Sequence, residues 1–130
     1  MTIYFYARRG KNSHEKINEM GAKAKTEGKK LMIFPEGTRN GNKGLTMLPF
    51  KKGAFHIAID GKLPILPVVI SEYDFLDVKK MIFNPGHVTI KVLPRIETDN
   101  YTKDNIDKLV ETTRHAMIEE LMILAKPKAE

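Results

Sequence analysis

The chain has 130 residues, no cysteine and a formal net charge of +6, with 42% hydrophobic and 29% charged residues. This length and composition predict one globular domain with a modest core, which we place at residues 1–125, followed by a frayed tail over 126–130. The lack of cysteine excludes a disulfide framework, a thiolate nucleophile and a zinc–thiolate site. The positive charge suits anionic partners, but the scattered lysines favour a solvated surface over a nucleic-acid-binding face. No apolar run approaches the roughly 20 residues that a membrane-spanning helix needs.

The first third of the chain has the pattern of a strand, a helix and a second strand. Residues 2–6 are β-branched and aromatic, as is typical of strands. Ser13 is suited to cap the start of a helix that Gly28 closes in a left-handed conformation. Residues 31–34 are Leu-Met-Ile-Phe, which predicts a buried central strand that ends at Pro35, because proline has no N–H for a sheet. The short connections predict a crossover between parallel strands.

A polar turn follows the second strand, with the sequence Pro-Glu-Gly-Thr-Arg at residues 35–39. Gly37 allows a tight backbone turn, Thr38 adds a hydroxyl, and Arg39 offers a planar fork of donors suited to phosphate or carboxylate. Open α/β sheets bind ligands at the carboxyl ends of their strands, so this turn is a candidate site. The alternative is a surface turn in which Glu36 and Arg39 form a weak ion pair.

The middle of the chain predicts a loop, a helix and a strand. Residues 40–44 are Asn-Gly-Asn-Lys-Gly, which predicts a flexible lip of the site. A helix is expected from Lys51 to about Ile59. Residues 63–70 are strongly apolar, but their two prolines restrict the strand to residues 68–70.

The last part of the chain predicts one more strand and a long helix. Residues 71–86 form a polar excursion with an apolar patch at 81–83. Val88, Ile90 and Val92 alternate with less apolar residues, which predicts a strand with that face buried. Thr102 is a suitable N-cap for the final helix, and the helical stripe on this helix is expected to cover the sheet; the stripe consists of Ile106, Leu109, Val110, Thr113, Met117, Leu121 and Leu124.

Three blocks of the sequence together resemble the glycerolipid acyltransferases, and among them the 1-acylglycerol-3-phosphate acyltransferases. In the order of that family, they are Glu-Gly-Thr-Arg at 36–39, Met-Leu-Pro-Phe-Lys-Lys-Gly-Ala-Phe at 47–55 and Pro-Ile-Leu-Pro-Val-Val at 64–69. The resemblance runs from residue 3 to the last helix. It implies an α/β fold with a mixed, largely parallel sheet flanked by helices, and a partial, N-terminally truncated acyltransferase domain over residues 1–125.

The resemblance also implies which residues bind substrate. Glu36, Gly37, Thr38 and Arg39 match the family block at the glycerol-phosphate of the acceptor, with Arg39 as the phosphate clamp. Lys51 lies in the second block and is a candidate phosphate ligand. Residues 5–8 resemble a further block whose arginine lies near that phosphate, which makes Arg8 a candidate, although Ala7 stands where the family has an acidic or polar residue. The alternative for Lys51 and Arg8 is a solvated surface cation.

The catalytic base of the family is absent from this sequence. Acyl transfer to a hydroxyl needs a group that takes the proton, and the family uses a His-x-x-x-x-Asp block. None of the four histidines has an aspartate five residues later; they are His14, His56, His87 and His115. We therefore expect no catalytic residue here, in either a C-terminal fragment of a longer enzyme, which we favour, or a shortened relative. Motifs for metals or cofactors are also absent, so we expect neither, and coenzyme A enters only as part of the acyl donor.

The function that the resemblance implies is transfer of an acyl group from acyl-CoA to the free hydroxyl of lysophosphatidic acid, giving phosphatidic acid in phospholipid synthesis at the endoplasmic reticulum membrane. The expected partners are these two substrates, a membrane surface and the missing N-terminal segment of the enzyme, but no nucleic acid. This chain holds the acceptor-phosphate-binding half and is inactive alone. One alternative is a non-catalytic phospholipid-binding or regulatory module. Another is a small nucleic-acid binder, which a steep salt dependence of binding identifies.

Overall fold

The structure is a computed structural model that describes residues 3–5, 13–40 and 46–125. The elements, in chain order, are β1 (Ile3–Phe5), α1 (Ser13–Thr26), β2 (Lys30–Met32), α2 (Gly53–Gly61), β3 (Val68–Ile70), β4 (Leu76–Asp77), β5 (Ile82–Phe83), β6 (Ile90–Val92), a 3-10 turn (Lys103–Asn105) and α3 (Ile106–Leu124). The described strands form three two-stranded sheets, of which β1–β2 is parallel and β3–β6 and β4–β5 are antiparallel. The predicted α/β class and the mixed strand directions are confirmed. Within the described residues, parallel pairing is limited to β1 and β2.

The β1-α1-β2 unit confirms the predicted crossover. β2 lies parallel to β1 in a register that places Tyr4 opposite Leu31. α1 ends at Thr26, and Gly28 closes it as predicted, with a φ of +62° in the left-handed region that glycine adopts readily. The amides of Gly28 and Lys29 donate to the carbonyls of Lys25 (3.4 Å) and Ala24 (2.8 Å). This pair of hydrogen bonds satisfies the last carbonyls of the helix and turns the chain directly into β2.

The strand predicted over residues 31–34 is shorter than expected. β2 ends at Met32, so the prediction that it continues to Phe34 was wrong, and Phe34 is exposed. The reason is that the turn begins earlier than Pro35: the Phe34 carbonyl already accepts a hydrogen bond from the amide of Gly37. The apolar run correctly predicted a strand that leads into a turn, but it did not predict the residue at which the strand ends.

The main core lies between α2, α3 and the β3–β6 sheet. α3 packs on β3 and α2, and its predicted stripe is confirmed as the buried face, so it covers its own sheet. The two most deeply buried large side chains are Leu109 of α3 and Val69 of β3. The other buried members of this cluster are Phe50, Phe55, Leu93, Ile106, Met117 and Leu121.

The end of α2 is fixed by a buried hydroxyl. The helix predicted from Lys51 to about Ile59 is present but lies two residues later, and Lys62 adopts the left-handed conformation (φ 49°) after it. The Thr98 hydroxyl lies within hydrogen-bond distance of the carbonyls of Ala58 (3.3 Å) and Leu63 (3.0 Å). Thr98 is buried, and these contacts satisfy its polar atom.

β6 exposes the face that was expected to be buried. Val88, Ile90 and Val92 are 41%, 62% and 53% exposed, so that prediction was wrong. The register pairs Ile90 with Ile70 and Val92 with Val68, on the side of the sheet opposite Val69. Because α3 packs against the Val69 side, the alternation identified which residues share a face but not which face the helix covers. None of the helices in residues 13–40 and 46–125 combines the length and the apolar character that crossing a bilayer requires.

Candidate functional site

A tight turn follows β2 at residues 34–37. The amide of Gly37 donates to the carbonyl of Phe34 (3.1 Å), and Gly37 has a φ of +69°. A side chain at this position would be strained, which explains why the motif needs glycine there. Pro35 presets the backbone inside the turn. The turn therefore fixes the backbone of residues 34–37 directly before Thr38 and Arg39.

Residues 46–52 lie alongside this turn and are hydrogen-bonded to it. The amide of Lys51 donates to the carbonyl of Pro35 (2.7 Å), and the amide of Leu48 donates to the carboxylate of Glu36 (2.7 Å). Phe50 anchors the segment in the core, where its ring stacks on Phe55 at a centroid distance of 6.4 Å. The structure thus brings together Glu36 of the first sequence block and Lys51 of the second.

Arg114 of α3 holds the same segment through two of its backbone carbonyls. Its guanidinium donates from Nη2 to the carbonyl of Met47 (2.5 Å) and from Nε to the carbonyl of Leu48 (3.4 Å). Arg114 was not among the site residues predicted from the sequence. A signal was present, because Arg114 is a charged residue that occupies a position of the apolar stripe, four residues after Val110 and three before Met117. Such a cation needs polar partners, and here they are backbone carbonyls.

Arg39, Lys51 and Lys52 are exposed cations of this region. Asn40 fixes the chain just after Arg39, since its Nδ2 donates to the carbonyl of Thr46 (2.9 Å). Within the described residues, neither Arg39 nor Lys51 has an acidic partner, whereas the neighbouring Lys52 pairs with Asp107 (Nζ–Oδ1 2.7 Å). Their charges are therefore available to an anion from solution.

The other residues of the predicted site divide into three cases. Glu36 and Gly37 are half-buried, and Thr38 is exposed beside Arg39. Glu36 does not form the ion pair with Arg39 that the alternative interpretation expected, within the part of the chain that the structure describes. Arg8 and the predicted lip at residues 41–45 lie outside the described residues.

The histidines with described side chains have other surroundings. His115 is exposed and its Nε2 lies 3.2 Å from Glu119 on the same helix, and His87 is exposed. His56 lines a shallow cleft of about 230 Å³ between α1, α2 and the 3-10 turn. There Asp60 pairs with Lys103 (3.3 Å). No histidine in residues 15–40 and 46–125 has a hydrogen bond to the turn.

This arrangement can bind an anion. Among residues 15–40 and 46–125 no histidine is hydrogen-bonded to it, and the carboxylate of Glu36 already accepts the amide of Leu48. The guanidinium of Arg39 can make two parallel hydrogen bonds to a phosphate, which is stronger and more directional than a point charge. Lys51 adds a second positive charge on the segment hydrogen-bonded to the turn. The surrounding hydrogen bonds fix the backbone that carries both side chains, so less order must be imposed when the anion binds.

Comparison with known proteins gives a consistent family match. The model of the Acyltransferase family matches residues 1–71. The 1-acyl-sn-glycerol-3-phosphate acyltransferase of Saccharomyces cerevisiae is 49% identical over 92 residues, covering 70% of this chain and 30% of that protein. The 1-acyl-sn-glycerol-3-phosphate acyltransferase beta of Homo sapiens is 41% identical over 113 residues, covering 86% of this chain and 40% of that protein.

A solved structure supports the same assignment. The 1-acyl-sn-glycerophosphate (LPA) acyltransferase PlsC from Thermotoga maritima superposes with a TM-score of 0.64 at 27% sequence identity. The similarity covers 92% of this chain and 47% of that one. The chain thus spans less than half the length of each of these three relatives.

Proposed function

The chain belongs to the acyltransferase family, and from this premise we propose that it is the acceptor-binding part of an enzyme that makes phosphatidic acid. The reaction is attack by the free hydroxyl of lysophosphatidic acid on the thioester carbonyl of acyl-CoA. An ester bond forms and the carbon–sulfur bond breaks. The hydroxyl proton passes to a base, and coenzyme A leaves and ends as the free thiol.

The main observation behind this proposal is that residues 34–40 and 46–52 are hydrogen-bonded to each other. Three hydrogen bonds connect the two segments, from Lys51 to Pro35, from Leu48 to Glu36 and from Asn40 to Thr46. All three occupy backbone or half-buried groups and leave the exposed cations Arg39 and Lys51 for a ligand. A phosphomonoester is a small, doubly charged group with several acceptor oxygens, which suits two cations.

Each residue of the proposed acceptor site has a distinct task. Arg39 clamps the phosphate of the acceptor through its planar fork, and Lys51 contributes a second charge. Gly37 allows the backbone to approach the glycerol, and the Thr38 hydroxyl is available to it. Glu36 shapes the site through its hydrogen bond to Leu48. Arg8 is proposed as a further cation near the phosphate.

The catalytic base is proposed to come from a His-x-x-x-x-Asp block that these 130 residues do not contain. The acid of such a block orients the imidazole, which then takes the hydroxyl proton. Acyl-CoA is proposed as a substrate, with no metal or resident cofactor. Because both substrates carry acyl chains, the reaction belongs at a membrane surface, and we propose the endoplasmic reticulum.

A turnover assay tests this division of labour. The purified chain, incubated with labelled acyl-CoA and lysophosphatidic acid, should form phosphatidic acid only at background rate, because general-base help is worth roughly 10²–10⁴-fold. The same residues fused behind a segment that carries His-x-x-x-x-Asp should support turnover. Changing that histidine to alanine should abolish it.

The matched controls are histidine variants of the chain itself. His56→Ala, His87→Ala and His115→Ala in the fused enzyme should leave the rate unchanged. Robust product formation by the 130-residue chain alone, lost in one of these variants, would show that the chain carries its own base. Turnover by the chain alone would also exclude a purely regulatory lipid-binding module.

A further inference from the structure

The hairpin formed by β4 and β5 carries an unusual concentration of exposed apolar side chains. Its register pairs Leu76 with Phe83 and Asp77 with Ile82, and residues 78–81 connect the two strands. We call residues 78–83 the tip. Val78, Met81 and Phe83 are 78%, 87% and 85% exposed. Single exposed apolar residues are common on protein surfaces, but three large ones at one convex tip indicate a surface that another phase or molecule covers.

The tip is a built structure with a defined conformation. The carboxylate of Asp77 accepts hydrogen bonds from the amides of Lys79 (3.0 Å) and Lys80 (3.1 Å). The amide of Met81 donates to the carbonyl of Val78 (3.4 Å). Met81 has a φ of +54°, a left-handed conformation that glycine or asparagine adopts more easily. The large apolar side chain of Met81 is thus exposed to solvent on a strained backbone. Strain of this kind is often found at functional positions.

The base of the hairpin is fixed to the rest of its segment. The amide of Asn84 donates to the carbonyl of Phe75 (2.9 Å). The ring of Phe75 lies directly over Gly86, where an added Cβ would come within 2.0 Å of Cδ1 of that ring. Phe75 also contacts the ring of Tyr73 at a centroid distance of 5.3 Å. These contacts order the residues at the base of the hairpin.

The charges near the tip favour an anionic membrane surface as its partner. Lys79 and Lys80 are exposed between the apolar side chains. The acid of the hairpin itself is Asp77, whose carboxylate accepts the amides of both lysines. Glu72 and Asp74 precede β4. Apolar groups flanked by lysines are suited to the boundary of an anionic bilayer, where the side chains enter the headgroup region and the ammonium groups meet lipid phosphates. A second protein copy is a poorer fit, because a stable interface needs roughly 20–30 residues a side.

We propose that the β4–β5 tip is a membrane-surface contact that inserts Val78, Met81 and Phe83 into an anionic phospholipid bilayer. The inference deepens the proposed function, on which it rests, by naming the surface through which the acceptor-binding part meets the membrane. The proposal gives a role in membrane binding to the apolar patch at residues 81–83, which is not part of the acceptor site.

Vesicle binding tests the proposal without any turnover. The chain is sedimented with vesicles of phosphatidylcholine, with or without phosphatidylserine. Phe83→Ser should lower partition into the mixed vesicles by at least about tenfold, because burial of a phenylalanine side chain is lost. Lys79→Gln and Lys80→Gln should each lower it by about fivefold on the mixed vesicles, with no effect on phosphatidylcholine alone.

A fluorescent variant provides a second readout. The chain has no tryptophan, so Phe83→Trp places a single indole at the tip, and its emission should shift to shorter wavelength on vesicle binding. The matched control is Ile90→Ser, which removes an apolar side chain that is 62% exposed on β6, and it should partition like the wild type. All of these positions are exposed, so circular dichroism should report an unchanged fold.

Three outcomes would overturn the proposal. They are no partition of the wild type into either vesicle, equal partition of Phe83→Ser and wild type, and an oligomer in solution that Phe83→Ser dissociates. The last result would assign the tip to a protein contact. A negative result in vesicle binding would not contradict the proposed acceptor site, because the two proposals have separate readouts. Arg39→Lys keeps its charge, so it should bind vesicles like the wild type while binding lysophosphatidic acid more weakly.

Discussion

Glu36 and Arg114 hold one short segment between them, which gives both charged residues a positioning role. The carboxylate of Glu36 accepts the amide of Leu48, and Arg114 donates to the carbonyls of Met47 and Leu48. Hydrogen bonds to charged groups contribute about 1.5–3 kcal/mol each when partly buried. The acid of the motif thus organises the site by binding a backbone amide, independently of any contact with substrate.

Glu36→Ala should lower the free energy of unfolding by about 1–2 kcal/mol, because the amide of Leu48 loses its acceptor. Glu36→Gln keeps an acceptor oxygen and should lose less than half of that. Urea denaturation of the three proteins measures the difference. Equal stability of Glu36→Ala and wild type would mean that the contact with Leu48 contributes nothing.

Arg114→Met should loosen residues 46–48 and weaken acceptor binding several-fold, although no cation of the proposed phosphate site is removed. Methionine retains much of the apolar volume of the arginine stem but leaves the carbonyls of Met47 and Leu48 without their donor. Amide hydrogen exchange at residues 46–48 and a binding titration measure the two effects. Arg114→Lys, which offers one ammonium in place of a planar fork, should be intermediate. Unchanged exchange in Arg114→Met contradicts the positioning role.

At the scale of elements, the helices were easier to predict than the strands. The stripe on α3 repeats over five turns, so errors at single positions do not change the result. β2 and β6 have three residues each, and their ends and buried faces depend on partners distant in the sequence. A turn shortens β2, and α3 packs on the Val69 side of the sheet. Both features depend on tertiary contacts, so they cannot be predicted from the local sequence pattern.

Leu109→Ala should destabilise the chain by about 2–5 kcal/mol, because Leu109 is fully buried at the contact of α3 with the core and its truncation leaves a cavity. Ile123→Ala is the matched control on the same helix, since Ile123 is 57% exposed, and it should change stability by no more than about 0.5 kcal/mol. Thermal or urea unfolding followed by circular dichroism compares them. A similar effect of both changes would be inconsistent with α3 packing through the Leu109 face.

For the molecule as a whole, the residues of the proposed site were predicted from the resemblance. The structure shows the hydrogen bonds that join the two segments carrying them. Gly37 and Arg39 could be selected from the sequence because the turn needs a positive φ and a phosphate needs a fork of donors. Arg114 could not be placed, because its partners are carbonyls 66 and 67 residues away in the chain. Membership of the acyltransferase family applies to a chain that spans less than half of its compared relatives, so the catalytic step itself remains a proposal.

We propose that Arg39 binds the phosphate of the acceptor, and calorimetric titration of the chain with short-chain lysophosphatidic acid measures this binding. Arg39→Lys should bind about tenfold more weakly than the wild type although the charge is kept, because lysine cannot form the two parallel hydrogen bonds. Arg95→Lys is the control: Arg95 is an exposed arginine paired with Glu97 (2.6 Å) and lies outside the turn, so its binding should be unchanged. Wild-type affinity in Arg39→Lys, or an equal loss in Arg95→Lys, would show that the Arg39 guanidinium does not clamp the phosphate.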